Sequence, residues 1–294
     1  MEPLISLVNG QQCEQISIQD RGFNYGDGIF TTLKVKQGCP LFLSSHLERL
    51  SRDSSRLALP SPDVKLLTAE IKDLAQIYSD CVLKIVLTRG VAPRGYFCSD
   101  SVPTRALIVY PEGELPFSKT LVRYAVLRVC KTTLSNNLQL AGVKHLNRLE
   151  QVLGRNEWRS GEFDEGVMLD QNGYVIEGTM SNIFCVRSGV LTTPLISQCG
   201  ILGVMRGQVI SIANTLKLPM VESQIRLEDL LWAEELFITN SLVGIWPVKQ
   251  LGEKKYGSYT LAEECIKQLD QMVLNEVRLW NNNAVYSPAP DLPG

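Results

Sequence analysis

Residues 110–118, YPEGELPFS, place two prolines and a glycine between two apolar runs, and this stretch constrains the chain more than any other. Proline fixes its own backbone and lacks a donor, so neither a helix nor a central strand continues through such a segment. The break predicts a small N-terminal α/β domain over 1–112, a linker over 113–120 and a larger C-terminal domain over 121–281. Residues 282–294 are polar and proline-rich, which predicts a disordered tail.

Hydrophobic periodicity fills in both halves. Before the break, ISLVNG and QISIQD read as short strands, and IFTTLKV alternates at strand period after the turn-rich NYGDG. Ser44 and Ser45 offer an N-cap to a helix over HLERLSRDSSRLAL, and VKLLTAEIKDLAQIY has apolar residues at helical spacing, so two helices should cover one face of the sheet. CVLKIVLTRG and TRALIVY return as buried strands. After the break the pattern gives a strand in TLVRYAVLRV, a helix in HLNRLEQVLGRNEWRSG, and strands in GVMLD, YVIEGT, SNIFCVRSG and VLTTP separated by Asn-Gly and Ser-Gly turns. Helices follow in MRGQVISIANTLK and YTLAEECIKQLDQMVLNEVRLW, with the strand ELFITN between them. The fold class is mixed α/β in two domains.

Charge and cysteine usage exclude several functions. With 29 basic against 31 acidic side chains and no basic block, nucleic acid and anionic membrane are not expected partners. No stretch approaches the apolar length of a membrane span or signal segment, and the eight cysteines form no CxxC pair, so a reducing, cytoplasmic location and packing roles for the thiols are expected. His46 and His145 are the only histidines, too few for His-rich metal chemistry; no metal site is expected.

Chemistry concentrates after the break. Lys144 ends the small apolar stretch LQLAGV just ahead of a predicted helix, and a lysine held against apolar surroundings loses its proton more easily and becomes a nucleophile near neutral pH. Glu177 closes the β-branched run YVIEG, where a strand-end acid can pair with a protonated ring nitrogen. Gly200, Gly203 and Gly207 lead into an amphipathic helix and leave backbone N–H groups free at its start, a seat for phosphate. Asn240 and Ser241 after ELFIT add an N–H and a hydroxyl, and Arg49 in HLERL adds a forked charged donor. Taken singly, each of these residues is equally an ordinary surface or turn residue.

Their order along the chain resembles one family: the fold-type IV pyridoxal phosphate enzymes, comprising branched-chain aminotransferases, D-amino acid aminotransferases and aminodeoxychorismate lyases. NYGDGIF, HLERL, LTRGVAPRGY, AGVKHLNRLEQ, VIEGTMSNIF, GILGVMRG and ITNSLVGIWPV occur in the family's sequence. The resemblance implies pyridoxal 5'-phosphate in a cleft between the two domains, a homodimer that completes the substrate site, Lys144 bonded to the cofactor, Glu177 at the pyridine nitrogen and Leu202 against the ring. It further implies that Arg49, Val204, Met205 and Ser241 hold the phosphate.

Within the family, KHLNRLEQVL with GDGIFTT is most similar to the aminodeoxychorismate lyases. Thr32 and Lys34 share one face of a predicted strand and Thr31 the other, so Thr32 and Lys34 should both point toward the cofactor. On that resemblance Thr32 shares a proton during bond cleavage, and Lys34 and Arg94 hold the substrate's two carboxylates. Arg94 and Tyr96 in APRGY equally resemble the carboxylate trap of D-amino acid aminotransferases. An aminotransferase is therefore the alternative enzyme, and a non-catalytic cofactor-binding protein the second alternative.

Overall fold

The computed structural model describes residues 2–98, 101–112, 124–159 and 161–284. The first sheet comprises β1 (Ile5–Val8), β2 (Gln11–Gln12), β3 (Gly28–Lys36), β4 (Cys39–Pro40), β5 (Cys81–Thr88) and β6 (Thr104–Pro111), in the order β2-β1-β6-β5-β3-β4 with every pair antiparallel. The short α1 (Arg21–Tyr25) precedes β3, and α2 (Leu43–Arg56) and α3 (Val64–Ile77) cover one face, as the periodicity predicts. Leu47 and Leu50 of α2 and Leu67, Ile71 and Leu74 of α3 meet Ile29, Leu33, Ile85 and Leu107 of the sheet in one core.

The second sheet is built from β7 (Ala125–Val129), β8 (Glu165–Leu169), β9 (Tyr174–Gly178), β10 (Asn182–Arg187), β11 (Val190–Pro194), β12 (Met220–Ser223), β13 (Ile225–Arg226), β14 (Glu235–Asn240), β15 (Gly244–Leu251) and β16 (Lys254–Lys255). Its path runs β12-β11-β10-β14-β15-β7-β8-β9-β13, with β16 on β15. Helices α4 (Leu149–Arg155), α5 (Val204–Thr215), α6 (Leu227–Leu231) and α7 (Thr260–Ala284) complete this half. Among the described residues no helix is long and apolar enough to cross a membrane. Cys39, Cys81, Cys130, Cys185, Cys199 and Cys265 are buried packing residues, as their scatter predicts.

Several local expectations are corrected. QISIQD forms no strand: Ile16 and Ile18 lie exposed, since no neighbouring strand is available to pair them, and β1 pairs instead with Gln11–Gln12. Ser44 and Ser45 do not cap α2; they lie inside it, and the N-cap is Phe42. Phe42 adopts a left-handed φ of 55°, held by Glu276 of α7, whose carboxylate accepts the Phe42 N–H at 2.9 and 3.0 Å. The helix expected from His145 begins only at Leu149, because His145 instead bridges Ile29 and the Leu146 N–H donates to the Gly28 carbonyl of β3. α7 continues to Ala284, past residue 281 where the second domain was expected to end; the linker at 113–120 and residues 285–294 lie outside the described residues.

The two sheets meet along the segment 142–146. Phe30 N–H donates to the Lys144 carbonyl at 3.0 Å and Leu146 N–H to the Gly28 carbonyl at 3.0 Å, so this segment pairs with the start of β3. On its other side Gly142 N–H donates to the Gly200 carbonyl at 2.8 Å, and Leu202 N–H to the Gly142 carbonyl at 3.2 Å. Lys144 is thereby fixed at the seam by backbone bonds to both halves.

Candidate active site

A cavity of about 320 Å³ opens at this seam, within the range of small-molecule sites. Phe30 and Thr32 come from β3, Arg49 from α2, Lys144 from the seam, and Glu177 from β9 with the loop after it. Ile201, Gly203, Val204 and Met205 come from the start of α5, and Asn240 and Ser241 from the turn after β14. Lys144, Thr32, Arg49, Glu177, Val204, Met205 and Ser241 thus share one cavity.

Lys144 is held from behind and left open in front. Its backbone N–H donates to Asp53 Oδ2 at 2.9 Å, and Asp53 is itself buried and fixed by Arg52 through bonds of 3.0 and 2.8 Å to the other oxygen. The Lys144 Nζ lies 4.4 Å over the Phe30 ring centre, and among the described residues it makes no ion pair. Burial, reinforced by the nearby Arg49 and Arg148 guanidinium groups, pushes its pKa down to about 7, which brings the neutral amine within reach near neutral pH. That is the state a nucleophile or proton acceptor needs.

Glu177 is 3% exposed and lines the same cavity. Its Oε2 accepts the Ile201 N–H at 2.8 Å, and Oε1 accepts from the Gln151 side-chain amide at 3.4 Å. Burial outweighs the Arg148 charge and these bonds and raises its pKa to about 7. A carboxyl poised there gives or accepts a proton at a basic ring nitrogen with little energetic cost.

The start of α5 supplies the third feature. Its N-cap is Gly203, so no side chain satisfies the first backbone N–H groups of the helix. A Cβ at Gly203 would lie 2.1 Å from Asn182 Oδ1, and Asn182 needs its place because its amide donates to the Ile201 carbonyl at 2.9 Å. Glycine therefore lets the Asn182 side chain lie against the start of α5 beside the cavity. Arg49, 4% exposed, faces the same cavity with its Nε buried and unpartnered. An unpaired charged donor in the interior is costly unless a ligand completes it.

Five groups have places that sequence reasoning did not find. Arg148 lies in the cavity wall with its Nε unpartnered and its Nη2 against the His145 ring. Gln151 steadies Glu177. Glu165, 1% exposed, accepts from the Gly166, Thr179 and Met180 N–H groups and the Thr179 and Ser181 hydroxyls, and so shapes the 177–182 loop. Thr31 and His46 lie beneath Arg49. The i, i+3 spacing of Arg148 and Gln151 on a helix face carried the only sequence signal for any of these.

Other expected residues lie elsewhere. Lys34 shares the face of Thr32, as the alternation predicts, yet lies outside the cavity wall and pairs with Glu112 at 2.5 Å. Leu202 packs on the Gly142 backbone rather than lining the cavity. Arg94 and Tyr96 occupy an exposed loop; Tyr96 is 88% exposed, its ring 5.7 Å from that of Tyr25, and neither residue reaches this chain's cavity. The Asn240 side chain turns back to accept the Leu242 and Val243 N–H groups, shaping the turn that presents Ser241.

A lysine of depressed pKa sharing a cavity with a buried acid and the open N-terminus of a helix is an arrangement suited to an enzyme that works through a nucleophilic amine. The chain belongs to the amino-transferase class IV family, whose model matches residues 28–251. It is similar to an aminodeoxychorismate lyase of Vibrio harveyi, with 35% identity over 82% of this chain and 89% of that protein. It is also similar to a putative branched-chain-amino-acid aminotransferase of Methanocaldococcus jannaschii, with 33% identity over 81% of this chain and 83% of that protein. Among solved structures, the 4-amino-4-deoxychorismate lyase of Pseudomonas aeruginosa superimposes with a TM-score of 0.86 and 37% identity, covering 91% of this chain and 98% of that one. The fold-type IV resemblance and the mixed α/β class drawn from the sequence are borne out.

Proposed function

We propose that the protein is a pyridoxal 5'-phosphate-dependent 4-amino-4-deoxychorismate lyase that releases 4-aminobenzoate and pyruvate, a step of folate biosynthesis. The observation that carries this reading is the convergence of Lys144, Glu177 and Thr32 on one cavity with the anion seat of α5, in a chain whose lyase relatives match it over most of their length. The site fits the cofactor: Arg49 Nε and the free end of α5 await an anion, and the Glu177 carboxyl awaits a basic nitrogen. Family members depend on pyridoxal 5'-phosphate, which when bound withdraws the negative charge left on a carbon that loses its proton.

The residues then divide the work. Arg49, Ser241 and the Val204 and Met205 N–H groups hold the phosphate, and Leu202 supports the wall beside Lys144 through Gly142. Glu177 shares a proton with the ring nitrogen. The neutral amine of Lys144 takes the proton from the substrate ring carbon that bears nitrogen. Thr32, which lines the cavity, relays that proton from the Lys144 ammonium to the oxygen of the departing enolpyruvyl group, and the six-membered ring becomes aromatic.

Lys34 and Arg94, with Tyr96, are proposed to hold the substrate carboxylates, Lys34 exchanging its Glu112 partner for one of them. The exposed loop of Arg94 and Tyr96 supports their donation to the cavity of a second copy, and hence a homodimer; sedimentation at micromolar concentration tests the dimer. The buried, scattered cysteines support a cytoplasmic location. The lyase assignment is tested by mixing purified protein with enzymatically generated aminodeoxychorismate and following 4-aminobenzoate fluorescence. The similarity to an aminotransferase supports a second reading, in which amino groups pass from donor amino acids to keto acids without 4-aminobenzoate release; the same protein given those pairs distinguishes the two. Intact Lys144 and Glu177 in one cavity count against a non-catalytic binding protein.

A further inference from the structure

We propose that Thr31 and His46 are positioning residues for Arg49: the pair fixes the guanidinium from below so that it meets a phosphate ester already oriented. The proposal rests on the phosphate role given to Arg49 above. Thr31 is 0% exposed on the core face of β3, His46 and Arg49 are buried on α2, and the three side chains form one chain of bonds. Arg49 Nη2 donates to Thr31 Oγ1, and Thr31 Oγ1 lies 2.6 Å from His46 Nδ1.

A guanidinium only donates, and Arg49 Nη2 lies 3.4 Å from His46 Nδ1 as well as against Thr31 Oγ1, so both atoms accept from it and the Thr31 hydroxyl proton turns to Nδ1. His46 Nδ1 is then an acceptor, and its ring proton sits on Nε2. This neutral tautomer agrees with burial and the Arg49 and Lys144 charges, which hold His46 well below its ordinary pKa. A protonated His46 would set a second cation against Arg49, whose Nη2 lies 3.4 Å from His46 Nδ1.

The residue identity at position 31 carries the same message. Valine has the same shape and suits a buried strand position equally well, so β-propensity does not explain a hydroxyl with no exposure. With Nη2 anchored, Arg49 keeps an unpartnered Nε in the cavity wall. A long side chain ordered before its ligand arrives loses less freedom on binding, which appears as affinity for the charged group alone.

The test titrates pyridoxal 5'-phosphate and unphosphorylated pyridoxal into cofactor-free protein and reads each dissociation constant by absorbance. Thr31→Val should weaken the phosphorylated ligand about tenfold and leave pyridoxal within about twofold, while Thr31→Ser retains both. In an Arg49→Lys background Thr31→Val should add nothing further. Should Thr31→Val not fold, His46→Leu and His46→Asn replace it, since an asparagine oxygen can accept the Thr31 proton and a leucine cannot. Equal weakening of both ligands, or independent effects of Thr31→Val and Arg49→Lys, would overturn the proposal. If Arg49→Lys alone leaves the preference for the phosphorylated ligand intact, it is the phosphate role of Arg49 that falls.

Discussion

Arg49 and Asp53 stand one turn apart on α2, and each holds a different end of the cavity: Arg49 enters its wall, while Asp53 accepts the backbone N–H of Lys144 at 2.9 Å. One helix face of the first half therefore sets the spacing between the anion seat and the reactive amine of the second. Asp53→Leu leaves the Lys144 N–H buried without an acceptor, at a cost of about 1–3 kcal/mol, and frees the lysine to shift. The expected result is a lower Tm together with a fall in turnover larger than the loss of cofactor affinity. Unchanged turnover per bound cofactor would show that the bond is structural only.

Borohydride reduction of the cofactor-loaded protein should fix the pyridoxyl group on Lys144. Peptide mapping checks this. A label on any other lysine overturns the assignment of the nucleophile.

The same lysine makes stability depend on pH in a defined direction. Its pKa falls from 10.5 to about 7 in the fold, so between those values the unfolded chain holds a proton that the folded protein has lost. Stability of the cofactor-free protein from this group therefore rises as pH climbs from about 7 to 10.5, and the full penalty is present below 7. Lys144→Met should melt higher than the parent at pH 7, by at least about 2 °C, and the gap should close by pH 10. Thermal melts at the two pH values decide it; an equal gap at both would contradict the depressed pKa.

Glu177 titrates in the opposite sense. Its pKa rises from 4.5 to about 7, so this acid lowers the stability of the cofactor-free protein as pH rises through that window. Glu177→Gln should remove this slope and keep the cofactor bound through the phosphate contacts, yet slow the reaction because the ring nitrogen loses its acid partner. Cofactor content and rate, measured on the same sample, should separate; parallel loss of both would make Glu177 a packing residue.

Thr32→Val deletes one hydroxyl from the cavity while preserving strand shape. Release of 4-aminobenzoate should slow by roughly tenfold to a thousandfold, the range of a single acid–base contact, with the cofactor absorbance unchanged. A rate equal to the parent's would leave Thr32 as a strand residue only.

What could be read from the chain depended on the range of the interaction. The alternation of IFTTLKV separated Thr32 from Thr31 because side-chain direction along a strand is local. Asp53 carries no mark of its bond to Lys144, because 91 positions separate them and only the tertiary seam brings them together. QISIQD had the pattern of a strand but no partner. GIWPVKQL, with a proline, gave no expectation of a central strand, yet it forms β15 between β14 and β7. Pro247 is tolerated since it faces Phe237 on β14, while pairing with β7 begins only at Val248. Lys34 was rightly placed on the face of Thr32, but alternation could not foresee that Glu112 would claim its ammonium.

Helix α7 packs Trp280 against the apolar clusters of both halves, and through Glu276 it holds the turn that starts α2. During synthesis the ribosome delivers this helix after every cavity residue. The N-terminal sheet can assemble early, but the helix bearing Arg49 and Asp53 gains its final anchor only once residue 276 has emerged. The cavity's frame is thus complete only after α7 has emerged, and a truncated translation product that retains Lys144 and Glu177 but lacks α7 would hold those side chains without the anchor at Phe42.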